Sequence, residues 1–247
     1  MPKFFIQQED VQGNFLIIRE DAHHILHVLR KTPGDHLTVC DGQGHDYDCE
    51  IMPDKLPDGG LRCHIISRNT SPAEPAIHIT LLQGLPKADK MEYLLQKGVE
   101  VGVSRFVPLM TERSIVKLTA DKARDKVRRW EKIAQSAAKQ SGRGILPSVE
   151  NIQTLTEAVS EFSAYDLVIL LDEAEEAITL KHILKKTDNP KKIALLIGPE
   201  GGWERREVEQ IKAAGGISIT LGPRILRTET AGVIAAAMTL YEMDMAD

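Results

Sequence analysis

The sequence predicts an α/β fold: a mostly parallel sheet with helices on both faces, preceded by a small β-barrel. Three observations lead there. From Ile77 onward, short apolar runs alternate with segments of helical period. Before residue 70 the apolar runs are short, alternate with polar residues and are separated by turn signals. Between the two lies Asn69-Thr-Ser-Pro-Ala-Glu-Pro75, polar and interrupted by proline. The expected organisation is a barrel over 1–70, a linker over 71–76 and an α/β domain over 77–247.

In the first part, Phe4-Phe-Ile6, Asn14-Phe-Leu-Ile-Ile18, His36-Leu-Thr-Val-Cys40, Tyr47-Asp-Cys-Glu-Ile51 and Leu61-Arg-Cys-His-Ile-Ile66 read as strands. Pro33-Gly34, Asp41-Gly42 and Asp58-Gly59-Gly60 read as the turns between them. One helix is expected from about Ala22 to Arg30, with Asp21 as its N-cap. It carries His23, His24 and His27. His23 and His27 have the i, i+4 spacing of a metal pair, but a partner carboxylate placed like that of a zincin is missing, since Ile25 follows His23-His24. We read these histidines as surface residues and expect no metal.

In the second part, Ile77-His-Ile-Thr-Leu-Leu-Gln83 is a strand stopped by Gly84-Leu85-Pro86. A helix from about Ala88 to Val101 carries Lys87, Lys90 and Lys97 along one flank. Phe106-Val107 with Leu109 is the next strand, and Glu112-Arg113-Ser114 is a loop. A long helix, about Asp121 to Gln140, has Val127, Trp130, Ala134 and Ala137 as its apolar stripe, with Gly142 as its stop. Leu167-Val-Ile-Leu-Leu171 is the third strand, followed by acidic Asp172-Glu173 and a helix from about Glu175 to Lys186. Ile193-Ala-Leu-Leu-Ile197 is apolar throughout, as in a strand buried on both faces. Gly198-Pro-Glu-Gly-Gly202 breaks it, and a helix runs from about Trp203 to Ala214. Ile217-Ser-Ile-Thr-Leu221 is a last strand, stopped by Gly222-Pro223. Arg224-Ile-Leu-Arg-Thr-Glu-Thr230 then leads into Ala231-Gly-Val-Ile-Ala-Ala-Ala-Met238, which is apolar all round and is expected to be a buried helix. Two glycine turns in tandem, at the ends of what read as neighbouring parallel strands, point to a ligand site. Neither has the spacing of a dinucleotide fingerprint or the Gly-Lys-Ser/Thr of a P-loop, so the residues alone do not name the ligand.

Composition narrows the class. The 247 residues are 42% hydrophobic and carry a net charge of −5. No apolar run is long enough to span a membrane, and Cys40, Cys49 and Cys63 have neither pairing nor metal spacing. A reduced, cytoplasmic chain with no membrane association is expected. Aromatics, at 4%, are too few for a base-stacking platform of many sites. Charge is segregated: residues 84–145 carry 14 basic and 7 acidic side chains, while residues 1–72 carry 7 and 11. That basic block reads either as a phosphate-binding surface or as a solvated helix face.

Four stretches carry a resemblance: Gly84-Leu-Pro-Lys-Ala-Asp-Lys-Met-Glu-Tyr-Leu-Leu-Gln-Lys97, Trp130-Glu-Lys-Ile-Ala through Gln140-Ser-Gly-Arg143, Leu195-Leu-Ile-Gly-Pro-Glu-Gly-Gly202 and Leu221-Gly-Pro-Arg-Ile-Leu-Arg-Thr-Glu-Thr-Ala231. Phe4-Phe5 and His27-Val-Leu-Arg30 fit as well. In these the chain resembles the RsmE-type ribosomal RNA methyltransferases of the SPOUT, or trefoil-knot, superfamily. The resemblance implies a PUA-like barrel that helps bind RNA and a knotted α/β domain that binds S-adenosylmethionine and forms a homodimer. It further implies methylation of N3 of one uridine, position 1498, in 16S ribosomal RNA, free or in the assembled small subunit. Lys3 stands where arginine is expected, and Val101 where leucine is.

Carried over by position, the resemblance makes Leu171, Ile197, Gly198, Glu200, Gly201, Leu221, Gly222, Ile225, Leu226 and Thr230 the cofactor-binding residues. Uridine N3 is a poor nucleophile until its proton is removed or shared, and negative charge then spreads to the flanking carbonyls. Glu229 is the candidate proton acceptor and Arg227 the candidate stabiliser of that charge. The alternative for these two is structural: Glu229 and Thr230 cap the last helix, and Arg227 pairs with Glu229. Lys3, Arg30, Lys87, Lys90, Arg113, Lys139 and Arg143 are the candidate RNA contacts. Two other functions compete: a related methyltransferase acting on transfer RNA or another ribosomal position, and a non-catalytic RNA-binding module of the same fold.

Overall fold

The computed structural model describes residues 3–114 and 118–243. The chain divides into two compact units. The first takes in residues 1–74 and Ala138–Leu146, the second Pro75–Ala137 and Pro147–Asp247. Residues 138–146, read from the sequence as part of the α/β domain, therefore pack with the N-terminal unit.

The first unit is a six-stranded sheet of β1 (Phe4–Phe5), β2 (Val11–Gln12), β3 (Phe15–Ile18), β4 (His36–Cys40), β5 (His45–Lys55) and β6 (Leu61–Thr70), in the order β1-β4-β5-β6-β3-β2. Every pairing is antiparallel except β1 with β4. The period-two pattern does its expected work. Leu16, Ile18, Leu37, Val39, Leu61 and Cys63 point inward and form one core with Ile25 and Ile51. The helix expected over 22–30 is shorter: it closes as a π-helical turn over His24–Val28, and the chain leaves it at Leu29. Buried Ile25 anchors it. His23 and His27 are exposed, with ring centroids 4.5 Å apart.

The second unit holds β7 (His78–Gly84), β8 (Arg105–Met110), β9 (Ser148–Val149), β10 (Gln153–Thr154), β11 (Leu167–Leu171), β12 (Lys192–Ile197) and β13 (Ile217–Ile219). They pair in the order β10-β8-β7-β12-β11-β13, with β9 also on β8, and every pairing is parallel. The continuous apolar runs are the inner strands: Ile193, Ala194, Leu195 and Leu196 have no exposed surface. Each such leucine or isoleucine contributes about 1.5–3 kcal/mol. One expectation is corrected. The strands that lead into the two glycine turns, β12 and β13, are not neighbours, because β11 lies between them.

The helices are α1 (Lys90–Val101), α2 (Ala120–Ser141), α3 (Leu155–Ser160), α4 (Leu180–Lys186), α5 (Arg205–Ala213) and α6 (Thr228–Met243). Gly102 at φ +113° ends α1, and Gly142 at φ +74° follows α2. α4 starts five residues later than the apolar pattern implies. The Glu175 carboxylate accepts from the Ala177 and Ile178 N–H groups, which holds a turn there, and the Thr179 hydroxyl caps the helix at His182 N–H. α6 is not buried all round. Gly232, Ala235, Ala236, Thr239 and Leu240 face inward, but Ile234, Met238 and Tyr241 are 40%, 44% and 72% exposed. An apolar composition records what a helix can bury, not what one copy of the chain has available to cover it.

Candidate cofactor and catalytic cleft

The carboxyl ends of β11, β12 and β13 open onto one cavity of about 990 Å³. Its wall comes from the Gly198–Gly202 turn after β12, the segment 220–227 after β13 and the acidic segment 172–176 after β11. Glycine matters at two places. A Cβ on Gly84 would lie 2.6 Å from the Pro199 ring, so only glycine lets the end of β7 meet the first turn. Gly222 sits at φ +108° with open space beside it, which permits the sharp reversal without filling the cleft.

Of the ten expected cofactor residues, Leu171, Ile197, Gly198, Glu200, Leu221, Gly222, Ile225 and Leu226 line this cavity. Gly201 and Thr230 belong to the same segments but lie off the wall. Gly201 instead gives its carbonyl to Arg113, and the Thr230 N–H bonds the Arg227 carbonyl at the start of α6. Arg227 lines the cavity, and among the described residues its guanidinium has no ion-pair partner. The pairing of Arg227 with Glu229 weighed above is therefore not formed. Glu229 stands on the first turn of α6, where the helix N-terminus favours a carboxylate.

The residues that tie the cleft together were not singled out in the sequence. Gln83, the last polar side chain of β7, is fully buried. Its Nε2 donates to the Thr228 hydroxyl at 2.8 Å and to the Gly84 carbonyl at 2.9 Å, and the Thr228 hydroxyl donates to the Gly198 carbonyl. One side chain thus joins the end of β7, the first turn and the start of α6. Its position at the strand's end, where polarity is unexpected, was the available signal. Trp203, read as the start of a helix, lines the cavity and donates from Nε1 to the Leu171 carbonyl at 3.2 Å.

Two expected RNA contacts, Lys90 and Arg113, line this cleft. Lys90 Nζ lies 2.9 Å from Glu200 Oε1 and 3.4 Å from Glu229 Oε2. The Lys87 N–H also donates to Glu200 Oε1, at 3.0 Å. Partial burial opposes the charged form of Glu200, but Lys90 and this N–H outweigh it and hold the carboxyl below its ordinary value. Glu200 in turn raises the Lys90 ammonium. Arg113 bonds Glu204 at 2.8 Å and the Gly201 carbonyl at 2.7 Å, bracing the first turn. Lys87 keeps an exposed side chain.

In the first unit, Arg143 is corrected. It is 3% exposed and clasps the Glu74 carboxylate with Nε and Nη2, while Glu74 also accepts from the Gly144 and Ile145 N–H groups. A guanidinium in that position holds the chain together and presents nothing to a phosphate. Lys3 is occupied by Asp46 at 2.6 Å and Ser71 at 2.8 Å, and Lys139 by Asp21 at 2.7 Å. Arg30 is exposed, at φ +54°. Sequence shows each charge but not its partner, which in these pairs lies 43 to 118 residues away.

Comparison with known proteins agrees with this architecture. Residues 73–240 match the family model described as an RNA methyltransferase domain, and residues 17–56 match an RNA methyltransferase PUA domain. The ribosomal RNA small subunit methyltransferase E of Bacillus subtilis is 33% identical, over 99% of this chain and 98% of its own length. The crystal structure of ribosomal RNA small subunit methyltransferase E from Neisseria gonorrhoeae bound to S-adenosyl methionine is 33% identical, covers 98% of this chain and 97% of its own, and superposes with a TM-score of 0.84. A methyltransferase from Legionella pneumophila in complex with the same cofactor is 30% identical, with a TM-score of 0.82 over 97% and 96% of the chains. The chain belongs to the RNA methyltransferase family, in the group of the ribosomal RNA small subunit methyltransferase E proteins.

Proposed function

We propose that this protein methylates N3 of one uridine of 16S ribosomal RNA with S-adenosylmethionine, at the cleft on the carboxyl ends of β11, β12 and β13. The observation that carries the reading is a single cavity shared by both glycine turns, with the Arg227 guanidinium on its wall paired with no carboxylate among the described residues. The residues present fit the cofactor. The cavity is large enough for a folded nucleoside, apolar side chains supply surface for the adenine, and glycine leaves room for close backbone approach. When bound, S-adenosylmethionine supplies a methyl group on sulfonium sulfur, whose S–C bond breaks as the N3–C bond forms.

The chain's own residues manage the proton and the charge. Glu229 accepts the N3 proton, directly or through water, so that the nitrogen electron pair is free for the new bond. Arg227 donates to the uridine carbonyl oxygens, where negative charge gathers as that proton leaves. Gln83 and Thr228 keep the two loops in register, which supplies alignment. Exposed Arg30 and Lys87 contact RNA phosphates. Ile234, Met238 and Tyr241 on α6, with Tyr93 on α1, 52% exposed, form an apolar surface on two packed helices that fits a second copy of the chain. The reading includes a threaded crossing of the two loops, a cytoplasmic location and 16S RNA met either free or in the assembled small subunit.

The test is mass mapping of 16S ribosomal RNA incubated, free and as small subunits, with the protein and labelled cofactor. One labelled uridine, whose label Glu229→Gln and Arg227→Ala each reduce at least tenfold, is the expected result. A label on another nucleotide or on transfer RNA overturns the substrate. Calorimetry showing no cofactor binding overturns the enzyme.

A further inference from the structure

Lys90 occupies an unfavourable place for a cation. It is the first residue of α1, at the positive end of the helix, where a lysine opposes the local dipole. Two carboxylates from other parts of the chain meet it there: Glu200 from the turn after β12 and Glu229 from the first turn of α6. The two contacts differ. Glu200 Oε1 makes a 2.9 Å hydrogen bond. Glu229 Oε2 is buried, lies 3.4 Å from the ammonium and has no hydrogen-bond partner among the described residues. Lys90 itself lines the cavity. The elements packed on α6 are α1, α4, β7 and β12. Among the described residues, Lys90 is the one ammonium, guanidinium or imidazole within 4.0 Å of the Glu229 carboxylate.

We propose that Lys90 is a positioning residue for the methyl transfer, holding the Glu229 carboxylate in place beside the cleft instead of contacting RNA phosphate. The inference rests on the reading of Glu229 as the proton acceptor. An ammonium 3.4 Å from a carboxylate oxygen attracts it and restricts its orientation. Glu200, by holding the ammonium on its other side, fixes where that charge sits. The turn that lines the cofactor cavity is thereby linked to the proton acceptor through one ammonium.

The experiment uses the full-length protein and compares Lys90→Met, which removes the charge but keeps an extended side chain, with Lys90→Arg, Glu200→Gln and Glu229→Gln. For each, kcat is measured against pH on 16S RNA, with S-adenosylmethionine Kd by calorimetry, the salt dependence of RNA binding and thermal melting. Lys90→Met is expected to move the acid limb of the kcat profile up by about one pH unit, a loss of about tenfold on that limb, with the rate recovering on the plateau above it. Lys90→Arg restores most of the rate, and cofactor Kd and the RNA salt slope stay within about twofold of the parent. Glu200→Gln, which gives Glu229 the whole ammonium, moves the acid limb down and carries the test should Lys90→Met not fold. The proposal is overturned if Lys90→Met leaves the pH profile in place while the RNA salt slope shrinks by about 0.7 to 1, the signature of a lost phosphate contact. An unmoved limb in Glu200→Gln overturns it as well. Wild-type kcat in Glu229→Gln shows instead that the underlying reading of Glu229 has failed.

Discussion

Replacing Arg143 with alanine separates a structural from an RNA-binding role for the basic block. The guanidinium is buried, and its partner Glu74 is 13% exposed. Deleting one member of a buried pair costs about 3–5 kcal/mol, because the other is left charged without compensation. Glu74 keeps two backbone donors, Gly144 N–H at 2.6 Å and Ile145 N–H at 2.9 Å, so part of that compensation survives. The expected loss is about 2–4 kcal/mol, which corresponds to a roughly 30- to 700-fold increase in local opening. Trp130 and Trp203 both belong to the second unit, so tryptophan fluorescence does not follow this change. Amide hydrogen exchange of peptides covering β5, β6 and residues 138–146 does. The effect depends on pH with a definite sign. Burial opposes the charged form of Glu74, but Arg143 and the two N–H groups together hold its carboxyl below the ordinary value of 4.5. Its stabilising contribution is present above the unfolded value and is lost as pH falls through the lower folded value. Protection of these peptides in the parent protein therefore declines below about pH 4.5, while in Arg143→Ala it rises as Glu74 is neutralised. Unchanged exchange together with a smaller salt dependence of RNA binding refutes this account and returns Arg143 to the RNA surface.

Other substitutions probe the cleft and the exposed helix face. Thr228→Val keeps the shape but leaves Gln83 Nε2 and the Gly198 carbonyl short of a partner, so cofactor Kd should rise by about 5- to 100-fold, measured by calorimetry. Gly222→Ala meets no neighbour, yet its φ of +108° is strained for any side chain; a loss of about 1–3 kcal/mol in cofactor affinity, with melting of the rest of the protein unchanged, is expected. Met238→Asp together with Tyr241→Glu should leave the fold intact and shift sedimentation velocity from dimer to monomer. A variant that still sediments as a dimer places the interface elsewhere.

Local pattern made much of this protein readable. Ile193–Ile197 has no polar face to expose, so it is an inner strand. Gly222 and Gly102 take positive φ that other residues rarely adopt, so they mark turns. The alternation in β3 and β4 decides which side chains enter the core. The place of the cavity was legible for a similar reason: Gly198–Gly202 and Leu221–Leu226 are contiguous segments, and a contiguous segment carries its own geometry. Most of their residues do line the cavity.

What the chain alone could not reveal is pairing at a distance. The charges of Arg143 and Lys90 look alike in sequence. The fold places one against Glu74, 69 residues away, and the other between Glu200 and Glu229. Sequence determined which segments become strands, helices and turns, because those depend on neighbours within a few positions. Tertiary structure decided that β11 comes between the two glycine-turn strands, that α6 leaves an apolar face open, and which carboxylate each cation meets. Electrostatic and packing energies depend on separation in space, and separation in space is set only once the whole chain has folded.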